Sequence, residues 1–291
     1  MSSIPPPRQP SRLSGRVAVI TGAGGGIGLA LALEAARRGM DIALADIGEE
    51  ALQAAKAQVE ALGVRAIAVR TDVRDLTAVE ALRDETASQL GEPWLVINNA
   101  GVAKIALAWE TSEADWRRLL DINVWGVVNG LLAFLPGLRS RQSGHILNTA
   151  SVGGLLAMPA NAAYVASKHA VVGLSETLFR ELEADGGAVG VSVLCPALVK
   201  TAIAGTRKVD GKTVSAIDSP HAMEPGDVAR IALDAVDLGQ FWILTHGEGI
   251  AAYMRARLEQ MICQHNPDKT SVDRAILETA TSATGLDFLR D

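Results

Sequence analysis

Tyr164 and Lys168 stand four residues apart in N-A-A-Y-V-A-S-K, and Ser151 lies thirteen residues before the tyrosine. If Tyr164 opens a helix, that spacing stacks the two side chains on one face. An ammonium beside a phenol favours the phenolate and draws its pKa down from about 10 toward neutrality. Tyr164 then suits general acid/base work at an oxygen, which carbonyl/alcohol interconversion requires. Ser151 follows a short apolar strand at Ile146 and Leu147, so its hydroxyl is placed for the same oxygen. Val152, Leu155, Leu156 and Met158 around it suit a hydrophobic alcohol, an aromatic one among the candidates, and equally suit ordinary core. Tyr-x-x-x-Lys is common by chance, so its meaning depends on the elements around it.

The run R-V-A-V-I-T (16–21) reads as a buried strand, followed by T-G-A-G-G-G-I-G (21–28) and a helix, A-L-A-L-E-A-A-R-R-G, ending at Gly39. Strand, glycine turn and helix in that order form the first unit of a dinucleotide-binding fold. Gly22 permits the tight turn, Gly26 (with Ile27) lets the backbone approach a pyrophosphate, and Gly28 lets helix and strand pack closely. The helix N-terminus supplies N–H groups for phosphates. A second strand, 40–46, ends in Asp46 and Ile47, where the adenosine ribose is gripped. Asp46 is also a plausible cap for the helix at 49–62. Neither this strand end nor Ala23, Gly24 and Gly25 offers a cation for a 2′-phosphate, which predicts NAD over NADP; Arg70 is the one counter-signal.

A third strand, 65–70, opens into T-D-V, placing Asp72 and Val73 toward the adenine. After a helix at 75–90, W-L-V-I-N-N-A-G (94–101) is a strand ending in Asn98, Asn99, Ala100 and Gly101, where amides can hold both strands and cofactor. The helix at 112–140 carries Asn123 in its middle, an unfavourable place that implies a specific polar task. A helix to about Asp185, a strand at 189–196, a loop at 197–223 that reads as a lid, a helix at 224–236 and a strand at 240–245 complete the alternation. One α/β domain at 15–246 is predicted, with a flexible arm at 1–14 and a helical extension at 247–291.

With 291 residues, a net charge of −6 and a pI near 5.5, the chain is not built for nucleic acid or anionic membrane. No apolar run reads as membrane-spanning, and the polar, Pro-rich start is not a secretory signal, so the expected location is cytoplasmic. Cys195 and Cys263 form neither a disulfide framework nor a metal site. On the helix after Tyr164, Val171, Leu174, Leu178 and Leu182 face the sheet, while Val165, Val172 and Phe179 form a second stripe that needs cover. A homodimer or homotetramer is expected.

Taken together, the motifs at 21–28, 98–101 and 164–168, with Asn123 and Ser151 at fitting spacing, resemble the short-chain dehydrogenase/reductase family across roughly 13–245. The resemblance implies a Rossmann-type, doubly wound, seven-stranded parallel sheet and hydride transfer to or from a nicotinamide, on a small-molecule alcohol or ketone that the apolar residues near Ser151 suggest is hydrophobic. It makes Tyr164 the acid/base and Ser151 the residue that steadies the substrate oxygen. Lys168 lowers the tyrosine pKa and holds the nicotinamide ribose, and Asn123 holds a relay water. Pro196, Val199 and Thr201 border the nicotinamide, Thr201 at the carboxamide, with Ala197 standing where relatives carry glycine. M-E-P-G-D-V and N-T-A-S add a weaker likeness to bacterial Cα-dehydrogenases of lignin-derived aryl ethers. The alternatives are a non-catalytic dinucleotide sensor, which tends to lose the tyrosine or lysine, and a related-fold epimerase or enoyl reductase.

Overall fold

Runs of Val, Ile, Leu and Ala make strands that tolerate apolar cover on both faces, which only a parallel sheet clad by helices provides. The computed structural model describes residues 12–203, 206–209, 212–215, 222–268, 271–272 and 274–288. In chain order the elements are β1 (Val17–Thr21), α1 (Gly26–Arg37), β2 (Asp41–Asp46), α2 (Glu49–Glu60), β3 (Ala66–Arg70), α3 (Leu76–Gln89) and β4 (Pro93–Asn98). Next come α4 (Glu113–Leu120), α5 (Gly126–Ser140), β5 (Gly144–Thr149), α6 (Ala162–Ala184) and β6 (Val189–Cys195). A small hairpin of β7 (Thr206–Val209) and β8 (Lys212–Ser215) precedes α7 (Pro225–Asp237), β9 (Trp242–Leu244), α8 (Gly247–Ile262) and α9 (Arg274–Thr284).

The sheet runs β3-β2-β1-β4-β5-β6-β9, parallel throughout. The chain winds outward in opposite directions from β1 and β4, which leaves a crevice at their carboxyl ends. One face is covered by α1 and α7 through Leu31, Ala35, Val228 and Leu233. The other is covered by α3, α5 and α6 through Val79, Leu82, Phe134, Leu138, Leu178 and Leu182.

Four readings of the sequence change here. Helix α1 starts at Gly26, so Gly26, Ile27 and Gly28 are its first turn and not a loop before it. The arm assigned to 1–14 stops short: residues 1–11 lie outside the described residues, but Leu13 is fully buried and Gly15 N–H bonds the Gly39 carbonyl at 2.9 Å. The 113–140 helix is long and apolar enough to cross a membrane by length and composition, contrary to the reading of its hydropathy. Its apolar face is used inside the fold, where Val127, Ala133, Phe134 and Leu138 are buried. The second stripe on α6 is largely covered by its own chain. Val172 is buried beneath Gly154, and Phe179 packs on Phe241 at 4.9 Å between ring centroids. Within the presumed lid at 197–223, the β7–β8 hairpin is antiparallel, and residues 204–205, 210–211 and 216–221 lie outside the described residues.

Candidate active site

Ser151 sits two residues past the end of β5, as the cap of a short 3-10 turn at Val152–Gly154, with its Oγ accepting from Gly153 N–H at 3.0 Å. That bond orients the hydroxyl toward the first turn of α6, where Tyr164 is the third residue. A Cβ at Gly153 would lie 3.3 Å from Tyr164 Cε1 and 3.5 Å from Ser151 Oγ, so the absence of a side chain there lets the two groups meet. Burial pushes the Tyr164 phenol above its ordinary value, with the Ser151 hydrogen bond pulling the other way.

Lys168, one turn on, is buried and donates from Nζ to the Thr149 carbonyl at 2.8 Å. Burial drops its pKa to about 8. Its ammonium is 5.8 Å from the Tyr164 ring centroid. The expected lowering of the phenol by Lys168 is opposed here by desolvation, the largest influence on Tyr164. Cys195, also buried here, is pushed up to about 12 and stays a neutral thiol.

Asn123 lies in a π-helical turn, Asp121–Trp125, between α4 and α5. π-turns inside helices recur at functional sites because the extra residue re-aims a side chain. Its Nδ2 donates to the Val102 carbonyl and to Ser167 Oγ, both at 2.9 Å, and its Oδ1 accepts from Val102 N–H at 2.8 Å. Ser167 Oγ in turn donates to the Tyr164 carbonyl at 2.7 Å. The Asn123 amide acts as a clamp, tying the loop after β4 to the first turn of α6.

Between β1 and β4 the glycine turn opens into the same space. A Cβ at Gly28 would come within 2.0 Å of the Gly22 carbonyl oxygen, so helix and strand approach as only glycine allows. At the N-cap, Gly25, no side chain caps α1, which leaves the first-turn N–H groups to an anion. Asp46 ends β2 with its carboxylate accepting from Gly24 N–H at 2.9 Å and Gly48 N–H at 3.0 Å. Thr201 leans over the turn, since a Cβ at Gly26 would lie 3.3 Å from its Cγ2. These residues, with Asn99, Ala100, Gly101, Ser151, Val152, Tyr164, Lys168, Pro196 and Val199, surround one cavity of about 710 Å³. Uncapped N–H groups at the start of α1 and an acid at the end of β2 fit a dinucleotide. Thr149 Oγ1, buried and with no hydrogen-bond partner among the described residues, is a further polar contact on offer there.

The family model described as short chain dehydrogenase matches residues 16–211. This chain belongs to the short chain dehydrogenase family. A short chain dehydrogenase/reductase from Burkholderia phymatum, solved in complex with NAD, is 39% identical with a TM-score of 0.80, covering 88% of this chain and 97% of that one. LigD from Sphingobium sp. strain SYK-6 is 27% identical with a TM-score of 0.76, over 88% and 99% of the two chains. The 1-deoxy-11-beta-hydroxypentalenate dehydrogenase of Streptomyces exfoliatus is 35% identical over 81% of this chain and 85% of its own.

Some residues expected at the site of this short chain dehydrogenase stand elsewhere. Asp72 does not border the cavity: Arg74 grips its carboxylate at 2.5 Å and holds it below the usual range. Val73 packs under Gly126, and its carbonyl accepts from Asn129 Nδ2 at 2.8 Å. Ile47 is exposed and Leu156 fully buried, and neither lines the cavity. Ala197 lines it and is not in the left-handed region, so the position makes no demand for glycine. Asn98 is structural, donating to Asn148 Oδ1 at 2.9 Å across β4 and β5. Nothing in residue spacing pointed to Ile105, Asn161, His246, Ile250 and Ile276 on the cavity wall, because lone residues on distant segments carry no such signal.

Proposed function

We propose that this short chain dehydrogenase is an NAD(H)-dependent enzyme interconverting a hydrophobic secondary alcohol and its ketone. The observation that carries it is Tyr164 and Ser151 meeting around Gly153 in the cavity that the glycine turn and Asp46 also border. The first turn of α1, Asp46, Lys168 and Thr201 would hold NAD(H), which would accept a hydride when oxidised or donate one when reduced. The chain's own groups handle the oxygen. Tyr164 gives its proton to the carbonyl oxygen in reduction and takes it back in oxidation. Its raised pKa keeps it a donor at neutral pH and makes oxidation rise with pH. Ser151 donates to the same oxygen and fixes its place. The walls at Ile105, Val152, Met158, Ile203 and Ile250 exclude water and favour an apolar, aromatic-sized substituent.

Tyr164→Phe is the test. It should keep NADH affinity, read by fluorescence titration, and lose at least about tenfold in kcat on 1-phenylethanol, roughly 1.4 kcal/mol or more. Retained turnover would remove Tyr164 from the chemistry, and binding without turnover in the wild type would favour a sensor. We also propose a homo-oligomer paired through the 113–140 helix. Trp125 is 56% and Leu132 54% exposed, seven residues apart on that helix. Light scattering at micromolar concentration should give at least a dimer mass; a monomer would reject the pairing.

A further inference from the structure

The groups that handle the oxygen all lie within the shared family stretch, 16–211, but part of the cavity wall does not. His246, Gly249 and Ile250 at the start of α8, and Ile276 on α9, come from beyond it. Both helices are fastened to the segments that present the reacting groups. Ile250 packs with Val152 and Leu156, just after Ser151, and Arg257 Nη1 donates to the Leu155 carbonyl. Helix α9 sets Ala280 against Leu107 and Ala160. Ala160 holds a left-handed backbone, φ 54°, immediately before Asn161 and the start of α6. A non-glycine residue in that region is strained and persists only where packing holds it, which α9 supplies. Ile250 and Ile276 are themselves buried, and their β-branched side chains have little rotamer freedom. They are fixed walls.

We propose that Ile250 and Ile276 are specificity-determining residues, setting the size of the substituent the substrate carries beside its carbinol. This rests on the alcohol/ketone reading above.

The experiment compares 1-phenylethanol with 1-(2-naphthyl)ethanol, using NAD and the full chain. In Ile276→Ala the ratio of kcat/KM, naphthyl over phenyl, should rise at least about tenfold, chiefly through KM, as expected for methylene-scale changes in an apolar pocket. NADH affinity should stay within about twofold, because Ile276 belongs to the substrate end. A ratio within about twofold of wild type overturns the proposal. Should that variant unfold, Ile276→Val carries the test with a change of about threefold. If the wild type oxidises neither alcohol, the alcohol/ketone reading fails, and the wall is read separately through Ile276→Trp. Its added indole should transfer excitation to bound NADH; no gain in transfer over wild type overturns the placement of Ile276 at the reacting end.

Discussion

Asp46 carries two duties that pull on one side chain. Its carboxylate accepts from Gly24 and Gly48 N–H groups, shaping the glycine turn, and it lines the cavity, where the proposed function has it meet the ribose. A 2′-phosphate there would meet like charge. At about 4 Å and an effective dielectric of about 20 this costs about 4 kcal/mol per unit pair before screening. A remainder of even about 2 kcal/mol gives roughly thirtyfold discrimination. NAD should therefore exceed NADP in kcat/KM by at least about tenfold. Asp46→Ala with Ile47→Arg should narrow or reverse that preference. Arg70 is in register with Asp46 on the neighbouring strand, so removing the acid also leaves a cation close by. Equal values for the two cofactors in the wild type would refute the role given to Asp46.

At the scale of elements, close approach does the positioning. Helix α1 rests on β1 because residue 28 has no side chain, and the same device seats α5: a Cβ at Gly130 would come within 2.0 Å of Asn98 Oδ1. Gly28→Ala forces a backbone contact apart, so α1 must tilt away from β1 and its N–H groups lose their aim. NADH affinity should fall by at least about tenfold, a loss of about 1.4 kcal/mol, while the circular dichroism of the sheet and helices persists. Wild-type affinity in that variant would mean the turn does not bind the pyrophosphate. The π-turn that carries Asn123 belongs to this scale too. A straight helix would have aimed its amide elsewhere, leaving Val102 and Ser167 without their partner.

The whole molecule is closed at the edge opposite the crevice by a polar layer. His145, at the start of β5, is 2% exposed and bonds Ser192 Oγ from Nε2 at 2.7 Å. Its ring stacks on Trp94 at 6.2 Å, with the Arg16 guanidinium over the other ring at 4.1 Å. Burial first, and the Arg12 charge second, drop its pKa to about 3. In the unfolded chain a histidine takes its proton near pH 6.5. Between that value and about 3 the unfolded state binds one more proton, so stability is lost as pH falls through this window. The slope from this group approaches about 1.4 kcal/mol per pH unit. Urea midpoints at several pH values in that window should fall less steeply in His145→Gln than in wild type; equal slopes would show that His145 is not held neutral.

The sequence alone determined the order of strands and helices, the glycine turn, Asp46, Ser151, and the Tyr164–Lys168 pair, because each is written in local periodicity or fixed spacing. The strand ends also came out nearly right, since a doubly covered parallel strand is an uninterrupted apolar run. Tertiary structure decided what depends on environment and on contacts distant in sequence. Lys168 is four residues from Tyr164 in either view, but that its ammonium meets the Thr149 carbonyl, and that burial raises the phenol, follow from the packing around the pair. That Arg74, two residues on, grips the Asp72 carboxylate was likewise not written in the spacing. The Asn123 clamp needed the fold to bring Val102 and Ser167 to one amide, and the cavity wall at Ile276 needed α9 to return against Leu107 and Ala160. Neither leaves a trace in spacing, because side chains that meet across the fold have no common period in the chain.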